Sequence, residues 1–321
     1  MDLGVHPLSI WLGFSGLVVL LLILDLGVLN RRSHVLGFRE ALTWSGSLVV
    51  VAILFGLFMY WREGPQHALE FYTGYLIELS LSVDNLFVFI LVFQYFGVPA
   101  ALQPRVLKWG ILGAIVMRLV MILLGALLLS RFDWIVYVFG AILIFAGWKM
   151  FRGEQGEVVE LERNIVVRAA RRLLPFSDRY DGQHFFTHPT RAERHAGVRR
   201  VATPLLLVLL VIEWTDLVFA VDSIPAVFAV TRDPFLVYSS NIFAILGLRA
   251  LFFVLAGLVD KFVYLKPGVA LILVFVGLKM LLSAWVHLPA LLSLGVILGT
   301  LTAAVVLSML KLRREARAAA A

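Results

Sequence analysis

The sequence predicts an all-α membrane protein that crosses the bilayer several times, and three observations lead to this fold class. Hydrophobic residues make up 61% of the 321 residues and charged residues 15%, whereas a soluble globular chain has about half apolar and about a quarter charged residues. The apolar residues fall into blocks of about 20, which is the length of a helix that crosses a hydrocarbon core about 30 Å thick. Most basic residues lie between these blocks, in alternate connections.

Nine apolar blocks are long enough to be candidate transmembrane helices within a single membrane domain, residues 1–321. The first block is long enough to span, and no small-residue cleavage site follows it, so we do not expect a removable signal peptide. The nine blocks cover residues 8–29, 43–61, 69–96, 108–129, 133–151, 204–230, 237–258, 267–284 and 288–310.

The basic residues predict the orientation of the spans. With the N-terminus outside, the inner loops and the C-terminus hold 21 of the 28 Lys and Arg residues, the outer loops hold 3, and 4 lie within spans. Because Lys and Arg are retained on the cytoplasmic side, we expect nine spans with N outside and C inside. Adding or removing one span would destroy the alternation.

Charge and cysteine content narrow the possible functions. The formal net charge of +7 would suggest a nucleic-acid partner for a soluble protein, but here the basic residues serve to orient the chain, so we expect no nucleic acid. The chain has no cysteine, which excludes disulfides and thiolate metal ligands and disfavours soft metals. No Gly-Lys pair occurs, so no Walker A ATPase motif is present.

Residues 152–203 form the only sizeable soluble part, a predicted cytoplasmic loop. We expect a solvated connector here, with an amphipathic helix over residues 157–174 on the inner leaflet as the alternative. The loop contains His184, His188 and His195, whose spacing is too loose to predict a metal site.

Two stretches indicate an internal repeat. Residues 141–150 read AILIFAGWKM and residues 271–280 read LILVFVGLKM, with six of the ten positions identical. The span before each stretch contains an arginine, Arg118 in one case and Arg249 in the other, and the span before that contains two acidic residues six positions apart.

The sequence therefore predicts a first three-helix repeat at 69–151 and a second at 204–284. Because three is odd, the second copy enters the membrane from the opposite side. Inverted repeats are typical of secondary transporters, whose binding sites lie near the bilayer midplane between the copies.

Five carboxylates fall near the middle of predicted spans. An unpaired carboxylate there costs at least about 2.5 kcal/mol, so each must be paired, protonated, hydrated or bound to a cation. We expect Arg118 and Arg249 to neutralise two of the five. The five are Glu78, Asp84, Glu213, Asp216 and Asp222.

The side chains around these carboxylates offer only oxygen ligands. Oxygen sites suit Mg²⁺, Ca²⁺ and Mn²⁺, and neither cluster contains the His or Met that copper and zinc favour. The additional oxygens belong to Asn85, Ser80, Ser82, Thr215 and Ser223.

Two further residues have alternative interpretations. Pro225 cannot donate to the carbonyl of Val221, so we expect the helix to kink or unwind there. The freed carbonyl would be a ligand, or the proline would only bend the helix for packing. Asp25 precedes Arg31 and Arg32, which predicts an interfacial ion pair, with an inner gate as the alternative.

At these residues the chain resembles the TerC family, and within it the Alx branch. The matching stretches are DLGVLNRRSH at 25–34, ELSLSVDNLFV at 78–88, DGQHFF at 181–186 and nearly all of 203–249. The resemblance implies Mn²⁺ efflux across a bacterial inner membrane, with an older link to tellurite resistance. By position it implies that the transport residues are Glu78, Asp84, Asn85, Glu213, Asp216, Asp222 and Ser223. The residue pattern of the spans themselves adds supporting residues, which are Ser82, Thr215, Arg118, Arg249, Pro225 and Asp25.

The residues alone predict a transporter of a hard divalent cation rather than an enzyme, and the resemblance adds manganese and export. Proton exchange is the expected energy source, because moving two charges out against 100 mV costs about 4.6 kcal/mol. Mn²⁺ is then cargo, and we expect no tightly bound cofactor; the expected partners are the ion, protons and the lipid bilayer. The alternatives are a tellurite-resistance protein, an intramembrane hydrolase, or a non-transporting partner that assists secretion or metalation of exported proteins through 152–203.

Overall fold

A computed structural model describes residues 7–25, 37–132, 134–152, 165–189, 200–256, 263–282 and 290–319. Within these residues the chain forms ten α-helices and one pair of two-residue strands. The elements are α1 (Leu8–Ile23), α2 (Phe38–Glu63), α3 (Pro65–Tyr95), α4 (Gln103–Arg131), α5 (Ile135–Phe151), α6 (Ile165–Leu173), β1 (Phe186–Thr187), β2 (Val201–Ala202), α7 (Pro204–Phe228), α8 (Pro234–Ala256), α9 (Leu265–Leu281) and α10 (Ala290–Ala319).

The helices are those of an all-α polytopic membrane protein, as the composition predicts. Helices α2, α4, α7, α8 and α10 are long and apolar enough to cross a membrane, and α1, α5 and α9 are shorter apolar helices. Helix α3 is 31 residues long and carries the first cluster of carboxylates. Each of the nine predicted blocks overlaps one of these helices, while the count of nine crossings and their orientation stay predictions.

Glycine and proline set the tight connections around α3. Gly64 alone joins α2 to α3, and its φ of 95° favours glycine. Pro65 then begins α3, because its fixed φ suits the first helical position, where an N–H would lack a partner. After α3, Gly97 has a φ of 58°, and the N–H of Val98 donates to the carbonyl of Phe93 over 2.9 Å, which closes the helix C-terminus.

Helices α3, α4, α7 and α8 form the centre of the bundle. Helix α3 packs against α7 and α8, and α4 packs against the same two helices. Helix α8 is the most enclosed of the five long apolar helices, with 89% of its apolar window buried against 22–44% for the others. Helices α1 and α2 pack against α8, and α10 packs against α3 and α9. Polar residues that face the centre are therefore shielded from lipid.

Helices α5 and α9 pack closely through glycines, and their contacts are reciprocal. A Cβ added to Gly147 would lie 2.8 Å from the carbonyl oxygen of Ala270, and a Cβ added to Gly277 would lie 2.8 Å from that of Gly140. When 141–150 is aligned with 271–280, Gly147 corresponds to Gly277 and Gly140 to Ala270. Each contact is thus the counterpart of the other when the two helices are exchanged, which is the property of a two-fold contact.

The described part of the loop between α5 and α7 is folded, and this corrects the expectation of a solvated connector. Helix α6 accounts for Ile165–Leu173 of the alternative helix over 157–174, and residues 153–164 lie outside the described residues. Helix α6 packs against α7 and buries Val167 and Ala170.

The rest of this loop docks on the ends of the central helices. Strands β1 and β2 pair antiparallel, and Tyr180 donates its hydroxyl hydrogen to the carbonyl of Phe96 over 2.7 Å. Burial raises the pKa of Tyr180, so the phenol stays protonated as a donor at neutral pH. The guanidinium of Arg105 lies 5.7 Å from the ring centre of Phe185. These contacts fix the loop as a cap over the ends of α3 and α4.

Candidate functional site

Arg118 on α4 is fully buried and joins carboxylates from two other helices. Its Nη1 donates to Oε2 of Glu78 on α3 over 2.7 Å. Its Nη2 and Nε donate to Oδ1 and Oδ2 of Asp216 on α7 over 3.2 Å and 3.4 Å. The planar guanidinium suits such a forked contact. One side chain therefore connects the two helices that carry the predicted carboxylate clusters.

Two polar side chains complete the Arg118 network. Ser223 on α7 accepts a hydrogen bond from Nη1 of Arg118 over 3.2 Å. Asn241 on α8 donates through Nδ2 to Oε1 of Glu78 over 2.6 Å. Both carboxylate oxygens of Glu78 are therefore hydrogen-bonded, and all four central helices contribute to the network.

Asn241 was not among the predicted site residues. It is fully buried, and its Oδ1 has no hydrogen-bond partner among the described residues. The signal that could have found it is the run Ser239, Ser240 and Asn241, three consecutive polar residues in a helix that is otherwise apolar apart from Arg249. The neighbouring Ser239 hydroxyl, by contrast, donates to the carbonyl of Leu236 in its own helix.

Arg249 pairs with none of the three mid-span carboxylates whose side chains the structure describes, Glu78, Glu213 and Asp216, so its expected pairing with one of the five stays a prediction. Its Nη2 donates instead to Oδ1 of Asp25, just after α1, over 2.7 Å, and both side chains are buried. Asp25 is therefore in a buried ion pair with α8. The predicted interfacial pair stays a prediction, because Arg31 and Arg32 lie outside the described residues. The sequence could not reveal this pairing, because it joins residues 224 positions apart.

Glu213 lies on α7 beside a small cavity of about 20 Å³ that Asp216 and Arg249 also line. A cavity of this size has room for one water molecule. Gly113 on α4 makes the approach possible, because a Cβ there would overlap the Glu213 carboxylate. Glu213 has no ion-pair partner within the described part of the chain.

Three buried polar residues lie along one face of α3. Glu78, Ser82 and Asn85 are spaced by four and three residues, which places them on the same helix face. Neither Oγ of Ser82 nor Nδ2 of Asn85 has a hydrogen-bond partner among the described residues. The hydroxyls of Ser80 and Thr215, by contrast, donate to carbonyls one turn earlier in their own helices. The polar face of α3 thus runs from Glu78 through Asn85.

The remaining predicted residues have mixed outcomes. The side chains of Asp84 and Asp222 lie outside the described part, so their ligand role stays a prediction. Helix α7 continues through Pro225 to Phe228, so it does not unwind at the proline, while the expected kink stays a prediction. A role for the Val221 carbonyl as a ligand stays a prediction.

No three His, Asp or Glu side chains within the described residues could together hold a metal ion. Among the histidines of the cap, His184 and His188 line a surface cavity of about 320 Å³ with Asp181 and Arg200. His195 lies outside the described residues.

Comparison with known proteins identifies the family. The model of the family described as "Integral membrane protein TerC family" matches residues 63–316. The chain belongs to the TerC family. The match contains every central helix and the whole Arg118 network of this TerC-family chain.

Curated relatives cover nearly the whole chain. An uncharacterized membrane protein of Myxococcus xanthus, STKORF319, is 50% identical over 305 residues, which are 95% of this chain and 93% of the relative. Alx of Escherichia coli K12, provisionally named a membrane-bound redox modulator, is 48% identical over 302 residues, 91% of each chain. An uncharacterized membrane protein of Rickettsia felis is 39% identical over 301 residues, 94% of this chain and 97% of the relative. No solved structure matches the chain.

Proposed function

We propose that this TerC-family chain is a secondary transporter of the bacterial inner membrane that exports Mn²⁺, a hard divalent cation, in exchange for protons. The observation that carries the proposal is the meeting of Glu78 and Asp216 at Arg118 within an apolar bundle. When both carboxylates are ionised, the three groups have one net negative charge. Because uncompensated charge is costly inside a membrane, the site favours an additional cation or proton.

The chemistry of the site supports a hard cation. Its described side chains offer carboxylate, amide and hydroxyl oxygens, and the chain has no cysteine. Oxygen ligands suit Mn²⁺, Mg²⁺ and Ca²⁺ and do not favour copper. The choice of Mn²⁺ and of export among these possibilities comes from the resemblance to the family.

The packing supports an inverted repeat within nine spans. Helix α3 packs against α8 as α4 packs against α7, which is the pattern expected if 69–151 and 204–284 are related by a two-fold axis. The reciprocal glycine contacts of α5 and α9 agree with the same axis. In this arrangement Glu78 and Asp216 come from corresponding helices and meet near the axis.

In the proposed cycle, Arg118 and the transported ion compete for the same carboxylates. The guanidinium occupies Glu78 and Asp216 in the described state. Asp84 and Asp222 each lie six residues farther along the same helices, about 9 Å away along the axis. Because α3 and α7 run in opposite directions in the proposed inverted repeat, Asp84 lies toward the inside and Asp222 toward the outside of Arg118. An ion held first by Asp84 would displace Arg118 from a carboxylate and leave past Asp222, and Arg118 would then bind the carboxylate again. This exchange keeps few charges unpaired at each step.

The pair of Asp25 and Arg249 supports an inner gate, the alternative interpretation of Asp25. Arg249 lines the small cavity beside Glu213 and Asp216 and also binds Asp25 after α1. The ion pair therefore closes the space between the cavity and the inner end of α1 in the proposed orientation. Opening it would give the carboxylates access to the cytoplasm.

Transport by purified protein in liposomes is the test of this proposal. We expect an acidic lumen, that is, an outward-directed proton gradient, to drive Mn²⁺ uptake through the molecules whose cytoplasmic face is on the outside of the liposome, and Asp216→Asn to reduce the initial rate at least tenfold. The matched control is Asp178→Asn in the exposed cap, which we expect to leave the rate unchanged. Mn²⁺ movement that ignores the pH gradient would contradict proton exchange.

Other results would favour the alternatives. If folded wild-type protein moves no Mn²⁺, the proposal is contradicted. A test with Ca²⁺ and Mg²⁺ would then show whether only the identity of the transported ion is wrong. Loss of function on deletion of the cap, but not on Asp216→Asn, would favour the non-transporting partner. The name of the relative Alx suggests a redox effect, but without cysteine this chain has no thiol for disulfide exchange.

A further inference from the structure

A large groove lies between α1 and α2, away from the Arg118 network. Its volume is about 550 Å³, within the range of about 300–1,000 Å³ that is usual for small-molecule sites. Helix α1 makes its main described contacts with α8 and not with α2, so the space between α1 and α2 stays open. Phe235 on α8 lies at its floor.

The groove is apolar and aromatic along most of its length. Phe14, Phe55 and Phe235 pack together in it, with ring centres 5.4 Å apart for Phe14 and Phe55 and 5.6 Å apart for Phe14 and Phe235. On α1 the lining recurs at Ile10, Gly13, Phe14 and Leu17, one face of the helix. A chain of methylene groups matches this surface.

One end of the groove is polar and basic. Ser9 at the start of α1 and Arg62 at the end of α2 both line it. Arg62 is exposed and makes no ion pair or hydrogen bond with the described residues. Its charge is therefore available to a ligand whose apolar part lies in the groove.

We propose that this groove is a binding site for a phospholipid with a net negative headgroup. One acyl chain lies between α1 and α2 against the three phenylalanines, and the phosphate contacts Arg62 and Ser9. A helix from a second copy is the other candidate occupant, and it offers no negative charge to Arg62 by itself. The inference does not depend on transport, because none of these residues contacts the Arg118 network.

Gly13 and Gly16 offer a matched pair of variants. A Cβ at either position meets nothing within 4 Å, but only Gly13 lines the groove. Gly13→Leu places a branched side chain in the groove from a position with room for its Cβ, whereas Gly16→Leu adds the same side chain to another exposed position of α1. For the headgroup, Arg62→Gln removes the charge at the groove, and Arg131→Gln removes an exposed charge at the end of α4.

The experiment is native mass spectrometry of the delipidated full chain, titrated with phosphatidylglycerol or phosphatidylethanolamine of the same acyl composition. We expect wild type to bind one phosphatidylglycerol, and Gly13→Leu to weaken this binding at least tenfold while Gly16→Leu does not. Arg62→Gln should weaken phosphatidylglycerol binding about fivefold, or about 1 kcal/mol, and leave phosphatidylethanolamine unchanged.

Three results would overturn the proposal. The first is that Gly13→Leu binds phosphatidylglycerol as tightly as wild type does. The second is that the preference for phosphatidylglycerol is retained by Arg62→Gln and lost by Arg131→Gln. The third is that the wild-type protein forms a stable dimer, which Gly13→Leu dissociates. If Gly13→Leu does not fold, judged by size-exclusion chromatography, Gly13→Val at the same open position replaces it. Transport by lipid-free and lipid-bound protein is measured separately, so failure of the lipid site and failure of transport are distinguishable.

Discussion

Glu78 is held on both of its carboxylate oxygens, and the two donors contribute in different ways. Arg118 supplies a positive charge, whereas Asn241 supplies only a hydrogen bond that fixes the orientation of the carboxylate. Because the Asn241 amide is neutral, it does not compete with a bound cation for the negative charge of Glu78. In the proposed cycle, Asn241 would therefore hold Glu78 in place whether its other oxygen faces Arg118 or an ion.

Replacing Asn241 with leucine tests this role. Leucine has a similar volume but no donor, so Oε1 of Glu78 loses its partner in a buried site. We expect the free energy of unfolding to fall by about 1–3 kcal/mol and Mn²⁺ transport to fall with it. Ser239→Ala is the neighbouring control, since its hydroxyl binds only its own helix. An Asn241→Leu protein as stable and active as wild type would remove Asn241 from the site.

Asp25 and Arg249 are suited to a double-mutant cycle. Removal of one partner leaves the other charge buried, so we expect Asp25→Asn and Arg249→Gln each to destabilise the protein by about 3–5 kcal/mol. The double variant should lose less free energy of unfolding than the two single variants lose together, because it leaves neither charge unpaired. Unfolding in detergent measures all four proteins, and strictly additive effects would contradict the observed pair.

At the scale of elements, α5 and α9 approach so closely that only glycine fits at their crossings. A side chain at Gly147 or Gly277 would meet the backbone of the partner helix at 2.8 Å. Backbone atoms cannot move aside as a flexible side chain can. The helices would have to separate.

Alanine at these positions tests the reciprocity of the contact. We expect Gly147→Ala and Gly277→Ala to lower the unfolding free energy by similar amounts, about 1–3 kcal/mol each. Gly46→Ala is the control, since a Cβ there meets nothing within 4 Å and alanine favours the helix by up to about 1 kcal/mol. A large effect of only one of the two substitutions would contradict a two-fold contact.

The sequence predicted the helices better than their contacts. Apolar blocks are a property of the chain itself, so α2, α4 and α8 could be located from composition and length. The partner of Arg249 could not be predicted in this way, because Asp25 reaches Arg249 only after α1 packs against α8. Asn241 was missed for the same reason, since only packing brings it to Glu78. The continuity of α7 at Pro225 shows that one missing hydrogen bond near a helix end does not unwind the helix.

At the scale of the whole molecule, the proposed orientation separates two exposed positions. Trp61, near the end of α2, is 82% exposed, and the predicted topology places it outside. Asp178 lies in the cap, which the same topology places inside. Because the chain has no cysteine, any cysteine introduced is the only thiol.

Cysteine labelling of intact cells tests the orientation. We expect a membrane-impermeant maleimide to label Trp61→Cys in intact cells and Asp178→Cys only after the membrane is opened. Labelling of both variants in detergent is the control for access. The opposite pattern would reverse the orientation, and labelling of both from outside would contradict the odd number of spans between them.

With a single residue between them, α2 and α3 cannot move independently of each other. Gly64 joins them directly, and the hydroxyl of Tyr72 on α3 also donates to the carbonyl of Ile53 on α2 over 2.7 Å. A tilt of α3 during release of Glu78 would therefore move α2, which is one wall of the proposed lipid groove. The coupling also works in the other direction, because a lipid that moves α2 would move α3 as well. The composition of the surrounding bilayer would then be an effector of the cation site.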